Sequence, residues 1–155
     1  MKIFSDDKLS YIDLVYRETL SEEEQQISGR ADVVIAVEVF SHGFSGRNES
    51  VWLGSEDIQR FLKDLHQFER QRTGTVAFAS LGAPSEYCEF RFQLNIVSKT
   101  GHIAVKAELL KVKYLQDGDL CPLKVSIGFD IDAGNLLTIV AEFNELLNSQ
   151  AVSPH

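Results

Sequence analysis

Long apolar runs are what this sequence most clearly lacks. The opening Met1-Lys2-Ile3-Phe4 passes directly into Ser5-Asp6-Asp7-Lys8, which leaves no apolar stretch long enough for a signal peptide. No other run approaches a membrane span, so the expected location is the cytoplasm and no membrane partner is expected. Cysteine is also scarce: Cys88 and Cys121 are the two, a usage that fits a reducing compartment. Cys88 shares the apolar phase of Phe90 and Phe92 and reads as a small buried hydrophobe. Positive charge is in deficit as well, with 15 Lys and Arg against 23 Asp and Glu and a formal net charge of −8. Phosphate contacts need clustered cations, so this balance argues against nucleic-acid binding while leaving a basic protein partner open.

The residue patterns of catalysis are missing too. His42, His66, His102 and His155 share no spacing that sets two of them beside a carboxylate or thiol on one face, so no metal site is expected. Gly43-Phe44-Ser45-Gly46 looks briefly like a nucleophile elbow, but Arg47 stands where that motif needs its second glycine. Asp130 and Asp132 form a D-x-D on one strand face, yet Asp132 is placed to cap the helix that follows and Asp130 falls on the polar side. Asp117-Gly118-Asp119 starts like a calcium loop and lacks the later acidic ligands, so it reads as a hairpin turn. No glycine-rich loop joins a strand to a helix in the manner of a phosphate site. Neither a cofactor nor an enzymatic activity is expected.

What is present is a well-patterned small domain. At 155 residues, 44% hydrophobic and 25% charged, with ten Phe against one Met, the chain is expected to close one core built on rings and to form a single domain over residues 1–155. The firmest element is a hairpin over Glu86 to Leu109, in which Cys88, Phe90, Phe92, Leu94 and Ile96 alternate with polar residues up to the turn Ser98-Lys99-Thr100-Gly101. That turn would set Ile96 opposite Ile103, Leu94 opposite Val105, Phe92 opposite Ala107, Phe90 opposite Leu109 and, on the other face, Arg91 opposite Glu108.

Other strands are expected over Tyr11 to Glu18, Asp32 to Phe40, Phe44 to Leu53 and Thr75 to Leu81. A helix starts at an N-cap Ser55, carries the stripe Ile58, Phe61, Leu62, Leu65 and Phe68, and stops at Thr73-Gly74. A second, capped by Asp132, buries Leu136, Ile139, Val140, Phe143 and Leu147, and the tail from Ser149 to His155 is expected to fray. Along Ile103 to Tyr114 the apolar parity changes between Leu109 and Leu110, and a bulge there would keep both sets inward. A two-residue turn at Asp117-Gly118 would then pair Val112 with Leu123 and Leu110 with Val125. These elements describe an α+β fold: an antiparallel sheet of about seven strands in meander order, with two amphipathic helices on one face. A shift of 78 positions carries Val51, Leu53, Ile58, Phe61, Leu62 and Leu65 onto Phe129, Ile131, Leu136, Ile139, Val140 and Phe143, a hint of internal repetition.

The segment Ser21 to Arg30, with Glu22-Glu23-Glu24, reads as an exposed acidic loop. Glu22, Glu23, Glu24, Asp117 and Asp119 cluster in segments expected to be loops and are the candidate contacts for a basic partner. The alternative is a small-ligand pocket between sheet and helices, lined by Phe44, Trp52, Phe78 and Phe92.

One family resemblance bears on this choice. The order His42-Gly43-Phe44-Ser45-Gly46, Val51-Trp52-Leu53, the helix Asp57 to Arg72 with Thr73-Gly74, Glu89-Phe90-Arg91-Phe92 and Thr100-Gly101-His102-Ile103-Ala104-Val105 resembles the small acidic bacterial proteins grouped as Wap-type immunity proteins. It spans roughly Asp32 to Leu147. The resemblance implies neutralisation of the toxic domain of a wall-associated, contact-dependent toxin, and it brings no functional residues with it.

Overall fold

The computed structural model describes residues 1–28, 31–80, 88–98 and 101–148. Among them run eight strands and three helices: β1 (Lys2–Phe4), β2 (Ser10–Thr19), α1 (Glu22–Ser28), β3 (Ala31–Ser41), β4 (Phe44–Gly54), α2 (Ser55–Gln71), β5 (Thr75–Ala79), β6 (Phe90–Ile96), β7 (His102–Tyr114), β8 (Leu120–Asp132) and α3 (Leu136–Asn148), the last preceded by a 3-10 turn at Ala133–Asn135. The fold is α+β with antiparallel strands in meander order, as expected. The strands divide into two sheets of four, β1-β2-β3-β4 and β5-β6-β7-β8, instead of one sheet of about seven. Alternation along a strand records which face is buried, not which strand lies beside it, so the break at α2 leaves no mark in the pattern. The tail 149–155, the turn residues 99–100 and the segment 81–87, which includes the start of the expected hairpin, lie outside the described residues.

The β6–β7 hairpin has the expected register, with Phe90↔Leu109, Arg91↔Glu108, Phe92↔Ala107, Leu94↔Val105 and Ile96↔Ile103. The β3–β4 hairpin closes through His42 and Gly43, whose φ angles of 50° and 85° make the two-residue turn that matches strand twist. In α2 the stripe Ile58, Phe61, Leu62, Leu65 and Phe68 is buried, and α3 buries Leu136, Ile139, Val140, Phe143 and Leu147. Both helices and both sheets contribute to one buried cluster. Near its middle, the Phe61 ring lies 5.1 Å from Phe78, 5.0 Å from Phe143 and 6.3 Å from Phe92.

Three local expectations are corrected. Gly54, in extended conformation and with no side-chain bond, occupies the N-cap of α2, and Ser55 is its first helical residue. Ser21 to Ser28 is not a loop: α1 forms behind a capping box in which the Ser21 N–H and Oγ each donate to Glu24 Oε2 at 2.8 Å and the Glu24 N–H donates to Ser21 Oγ at 3.3 Å. The third concerns β7 and β8. They pair without interruption from His102↔Asp132 to Tyr114↔Leu120, so there is no bulge, and Leu109 faces Val125 while Leu110 faces Lys124. The loop is three residues long: the Gly118 N–H donates to the Leu115 carbonyl at 3.0 Å, the Leu115 N–H to the Asp119 carbonyl at 2.9 Å, and Gly118 sits at φ 88°. The parity change at Leu109–Leu110 therefore marks a real change of face.

The two sheets repeat one plan, four strands followed by a helix. Tyr16↔Ile35 corresponds to Leu94↔Val105 and Ile35↔Val51 to Val105↔Phe129, so β2 and β4 map onto β6 and β8 by a shift of 78, and β3 onto β7 by a shift of 70. The equivalent helix residues His66 and Asn144, also 78 apart, meet at 3.0 Å between α2 and α3. Contact between equivalent residues is what an approximate twofold relation between the halves requires. Between the sheets, β4 meets β7 and β8. A Cβ on Gly46 would stand 3.0 Å from Val125 Cγ2, and buried Asn48 donates from Nδ2 to the Leu110 carbonyl at 3.1 Å.

Candidate functional site

The difference of eight between the two shifts locates where the halves diverge. The first half is eight residues longer between its second and third strands, the segment that holds α1, and the second half is eight longer between its third and fourth strands, in the β7–β8 hairpin. The five candidate acids fall on these two segments. Glu22, Glu23 and Glu24 occupy the first turn of α1, where the helix dipole favours carboxylates, and all three are exposed. Glu24 is held by the capping box, and the hydrogen bonds from Ser21 pull its carboxyl below the ordinary range. Asp117 accepts the Asp119 N–H at 3.0 Å and shapes the hairpin tip. Among the described residues no hydrogen bond or ion pair links the two groups, and Glu22, Glu23 and Asp119 are left without a side-chain structural task.

The β7–β8 hairpin outruns its sheet. Pairing with β6 ends at Phe90↔Leu109, with one further bond from the Leu110 N–H to the Glu89 carbonyl at 2.8 Å. Beyond it β7 and β8 form a two-stranded arm. Its even-numbered face, turned away from the core, carries Val112 opposite Pro122 and Tyr114 opposite Leu120, with Tyr114 74% and Leu120 45% exposed. Its odd-numbered face carries Lys111 opposite Leu123 and Lys113 opposite Cys121. Sequence alternation missed this surface because the apolar residues were assumed to face inward; the parity change was the signal.

The outer face of the first sheet holds a different arrangement. Tyr11 stacks on Phe40 at 5.6 Å, Lys2 Nζ sits 3.9 Å from the Tyr11 ring centre, and the Tyr11 hydroxyl donates to Glu38. Arg47 bridges Glu38 and Glu49, and Arg17 also binds Glu49. These hydrogen bonds lower the Glu49 carboxyl and raise the Tyr11 hydroxyl. The network is internally satisfied and exposed, and ties β1 to β4 across the sheet.

Reaction chemistry finds little to stand on. The nearest constellation is Ser41 Oγ with His42 Nδ1 at 3.0 Å, but Ser41 is buried and shares its hydroxyl with Ser10 at 2.8 Å. A nucleophile has to reach its substrate, and this one faces a second buried serine. Ser45 lies in strand β4, not on a strand-to-helix turn. Asp132 caps the 3-10 turn, accepting the Gly134 N–H at 2.6 Å, and its own N–H donates to Asp6 at 2.9 Å. Among the described residues no group of three His, Cys, Asp or Glu is placed to hold a metal, and no helix is long and apolar enough to cross a membrane. Both cysteines are free. The ligand-pocket residues do not converge: Phe78 and Phe92 are buried in the core, whereas Phe44 is 74% exposed at a hairpin tip and Trp52 lies on the outer face of β4. The expectation of one cavity lined by all four is corrected. The parity of a ring on a strand shows its face only after the sheet to which the strand belongs is known.

No protein-family model matches the sequence. No curated protein matches it either. Among solved structures, the chain is similar to a CdiA-CT/CdiI toxin and immunity complex from Enterobacter cloacae, at 13% identity over 86% of this chain and 99% of that one, with a TM-score of 0.39, a likeness too slight to carry an argument.

Proposed function

We propose that this chain is a non-enzymatic binding protein of the immunity type its sequence resembles, acting in the cytoplasm by docking on a basic toxin domain. One observation carries the reading: the two segments where the repeated halves differ are the segments that hold Glu22, Glu23 and Glu24 on one side and Asp117 and Asp119 on the other. Core residues are fixed by packing, and specificity is added on the extensions of a scaffold. Acids on those extensions, on a chain of net charge −8, accelerate encounter with a basic partner and select it.

The test is affinity capture of the tagged chain from the organism that encodes it, with bound proteins identified before and after a high-salt wash, followed by charge reversal. Glu22→Lys, Glu23→Lys and Asp119→Lys together avoid Glu24 and Asp117, which shape α1 and the hairpin tip. The expected result is a basic polypeptide that salt weakens, with association slowed at least about tenfold by the triple variant at low salt. Unchanged association by that variant, or recovery of no basic polypeptide while toxin genes are expressed, rejects the proposal.

A further inference from the structure

Open sheet edges attract other strands, and proteins blunt them with charge, proline, bulges or a covering segment. The two sheets end in β1, β4, β5 and β8. Three of these edges are blunted. β1 is 3 residues long and carries Lys2, and β4 carries Arg47, Glu49 and an irregular register. β8 carries Pro122 and Lys124, and at its end the Asp6 N–H donates to the Asp130 carbonyl at 3.2 Å while the Asp132 N–H donates to Asp6. β5 is different: Thr75-Val76-Ala77-Phe78-Ala79 has no charge, proline, glycine or register shift. Its hydrogen-bond phase is fixed at both ends, where the Ile96 N–H donates to the Gly74 carbonyl at 3.2 Å and the Ser80 N–H to the Phe90 carbonyl at 2.9 Å. Even-numbered residues therefore turn their N–H and C=O towards β6, and Thr75, Ala77 and Ala79 turn theirs to the open side. Among the described residues no strand pairs with that side, and the three side chains are exposed.

We infer that the chain self-associates through β5, two copies pairing antiparallel about a twofold axis at Ala77 so that their second sheets join into one. The inference does not depend on the binding reading above. Phase decides the register: with the N–H and C=O of Thr75, Ala77 and Ala79 outward, Ala77 meets Ala77 and Thr75 meets Ala79 of the second copy, each pair exchanging both of its hydrogen bonds. The facing side chains suit this register. On the outer face only Thr and Ala come together, and on the inner face buried Val76 comes beside Phe78 of the second copy. A foreign strand is a poorer occupant, because selecting one takes distinctive side chains along the edge, and Thr75, Ala77 and Ala79 carry no charge or bulk to do so. A twofold pair needs only a strand that complements itself. On a chain of net charge −8, an uncharged edge also spares two copies a direct like-charge contact. Area sets the strength: an edge of 5 residues falls short of the roughly 800 Å² per partner of a standard interface, so this dimer belongs to the weak, exchanging class.

Sedimentation equilibrium of the purified full chain, from micromolar to millimolar concentration, tests this together with amide exchange followed by NMR. The expected result is a concentration-dependent dimer in which exchange at Thr75, Ala77 and Ala79 slows as concentration rises, while Val76 and Phe78, bonded to β6, exchange slowly throughout. Ala77→Lys sets like charges opposite each other at the axis and should weaken association at least about tenfold. Its circular dichroism and melting temperature should stay those of the natural chain, since the side chain at this position is exposed. Thr75→Lys with Ala79→Glu sets opposite charges across the outer pairs and should keep the dimer, whereas Thr75→Lys with Ala79→Lys should abolish it. A monomer at every concentration overturns the inference, whether the three amides exchange fast or are slow because the edge is covered within one chain. A dimer that Ala77→Lys leaves intact overturns the choice of β5. Equal behaviour of the two double variants overturns the antiparallel register.

Discussion

Asn48 tests how the two sheets are held together. It sits on the core face of β4, only 5% exposed, at the point where the β3–β4 register shifts between Val37↔Asn48 and Ile35↔Val51. Its Nδ2 donates to the Leu110 carbonyl on the other sheet at 3.1 Å, and its Oδ1 accepts the Ser50 N–H at 3.1 Å. The Leu110 N–H bonds to Glu89, just before the first residue of β6, and among the described residues no further strand residue pairs with Leu110 on that side. Asn48→Ala leaves that carbonyl and the Ser50 N–H without partners. Stranding the buried Leu110 carbonyl costs about 1–3 kcal/mol, and the Ser50 N–H, on an exposed residue, adds about 1 kcal/mol. The substitution should therefore lower stability by about 2–4 kcal/mol, a large share of the roughly 5–15 kcal/mol typical of a domain. At about 2–4 °C per kcal/mol for a chain of this size, the melting temperature should fall by roughly 4–16 °C. Asn48→Asp should do worse at pH 7, because it replaces the donor to Leu110 with a carboxylate beside the half-buried Glu89. Urea denaturation at pH 7 measures both. A loss under about 0.5 kcal/mol for Asn48→Ala would show that the sheets are held by apolar packing alone and that this bond is incidental.

Three further outcomes follow from single contacts. Gly46→Val puts a branched side chain where even a Cβ would lie 3.0 Å from Val125 Cγ2, so overpacking should cost about 1–3 kcal/mol by denaturant titration; a neutral result would mean the sheets can part at this crossing. Burial raises the Glu89 carboxyl and the hydrogen bond from Asn48 only partly offsets it, so its stabilising contribution is present at low pH and lost as pH rises through the folded-state value. Glu89→Gln should accordingly raise the melting temperature more at pH 7 than at pH 4, and a difference independent of pH would refute this. Ser21→Ala removes the cap of a seven-residue helix too short to persist alone, so amide exchange should quicken across α1 while the global melting temperature moves little.

Much of the fold was legible because most of its elements bury a single face. The β6–β7 register came out pair for pair, since Phe90, Phe92, Leu94 and Ile96 can meet Leu109, Ala107, Val105 and Ile103 in only one phase. The stripes of α2 and α3 were equally plain. What failed shares one cause. Leu110 is buried as expected, but placing Val112 and Tyr114 inward as well needs a bulge and a shorter turn that the uninterrupted β7–β8 ladder does not have. Apolar residues on an exposed strand face obey the same alternation as those that serve the core, and only the length of the neighbouring strand tells them apart. For α1 the signal was in hand: Ser21 followed three residues later by Glu24 is a capping box, outweighed in the reading by the absence of an apolar stripe.

The internal repeat explains both what the pattern revealed and what it hid. A constant shift of 78 aligns the second and fourth strands and the helices, so Leu14 finds Phe92 and Leu65 finds Phe143. Applied to β3 it fails, carrying Val33 to Lys111 and Ile35 to Lys113, because the eight residues gained around α1 are not regained until the β7–β8 hairpin. The repeat therefore looked half as long as it is. The two insertions cancel in length, and this restores the register of the fourth strands and lets His66 meet Asn144 between the helices. Symmetry constrains the shared core, whereas the insertions answer to no counterpart in the other half. They are free to differ in charge and exposure, and they do: one is an acidic helix capped by Ser21, the other an arm that ends in Asp117 and Asp119. Changes there leave the packing of Phe61, Phe78, Phe92 and Phe143 untouched, which is why shortening the β7–β8 hairpin to the length of the β3–β4 hairpin should leave the chain folded, with a melting temperature close to that of the natural sequence.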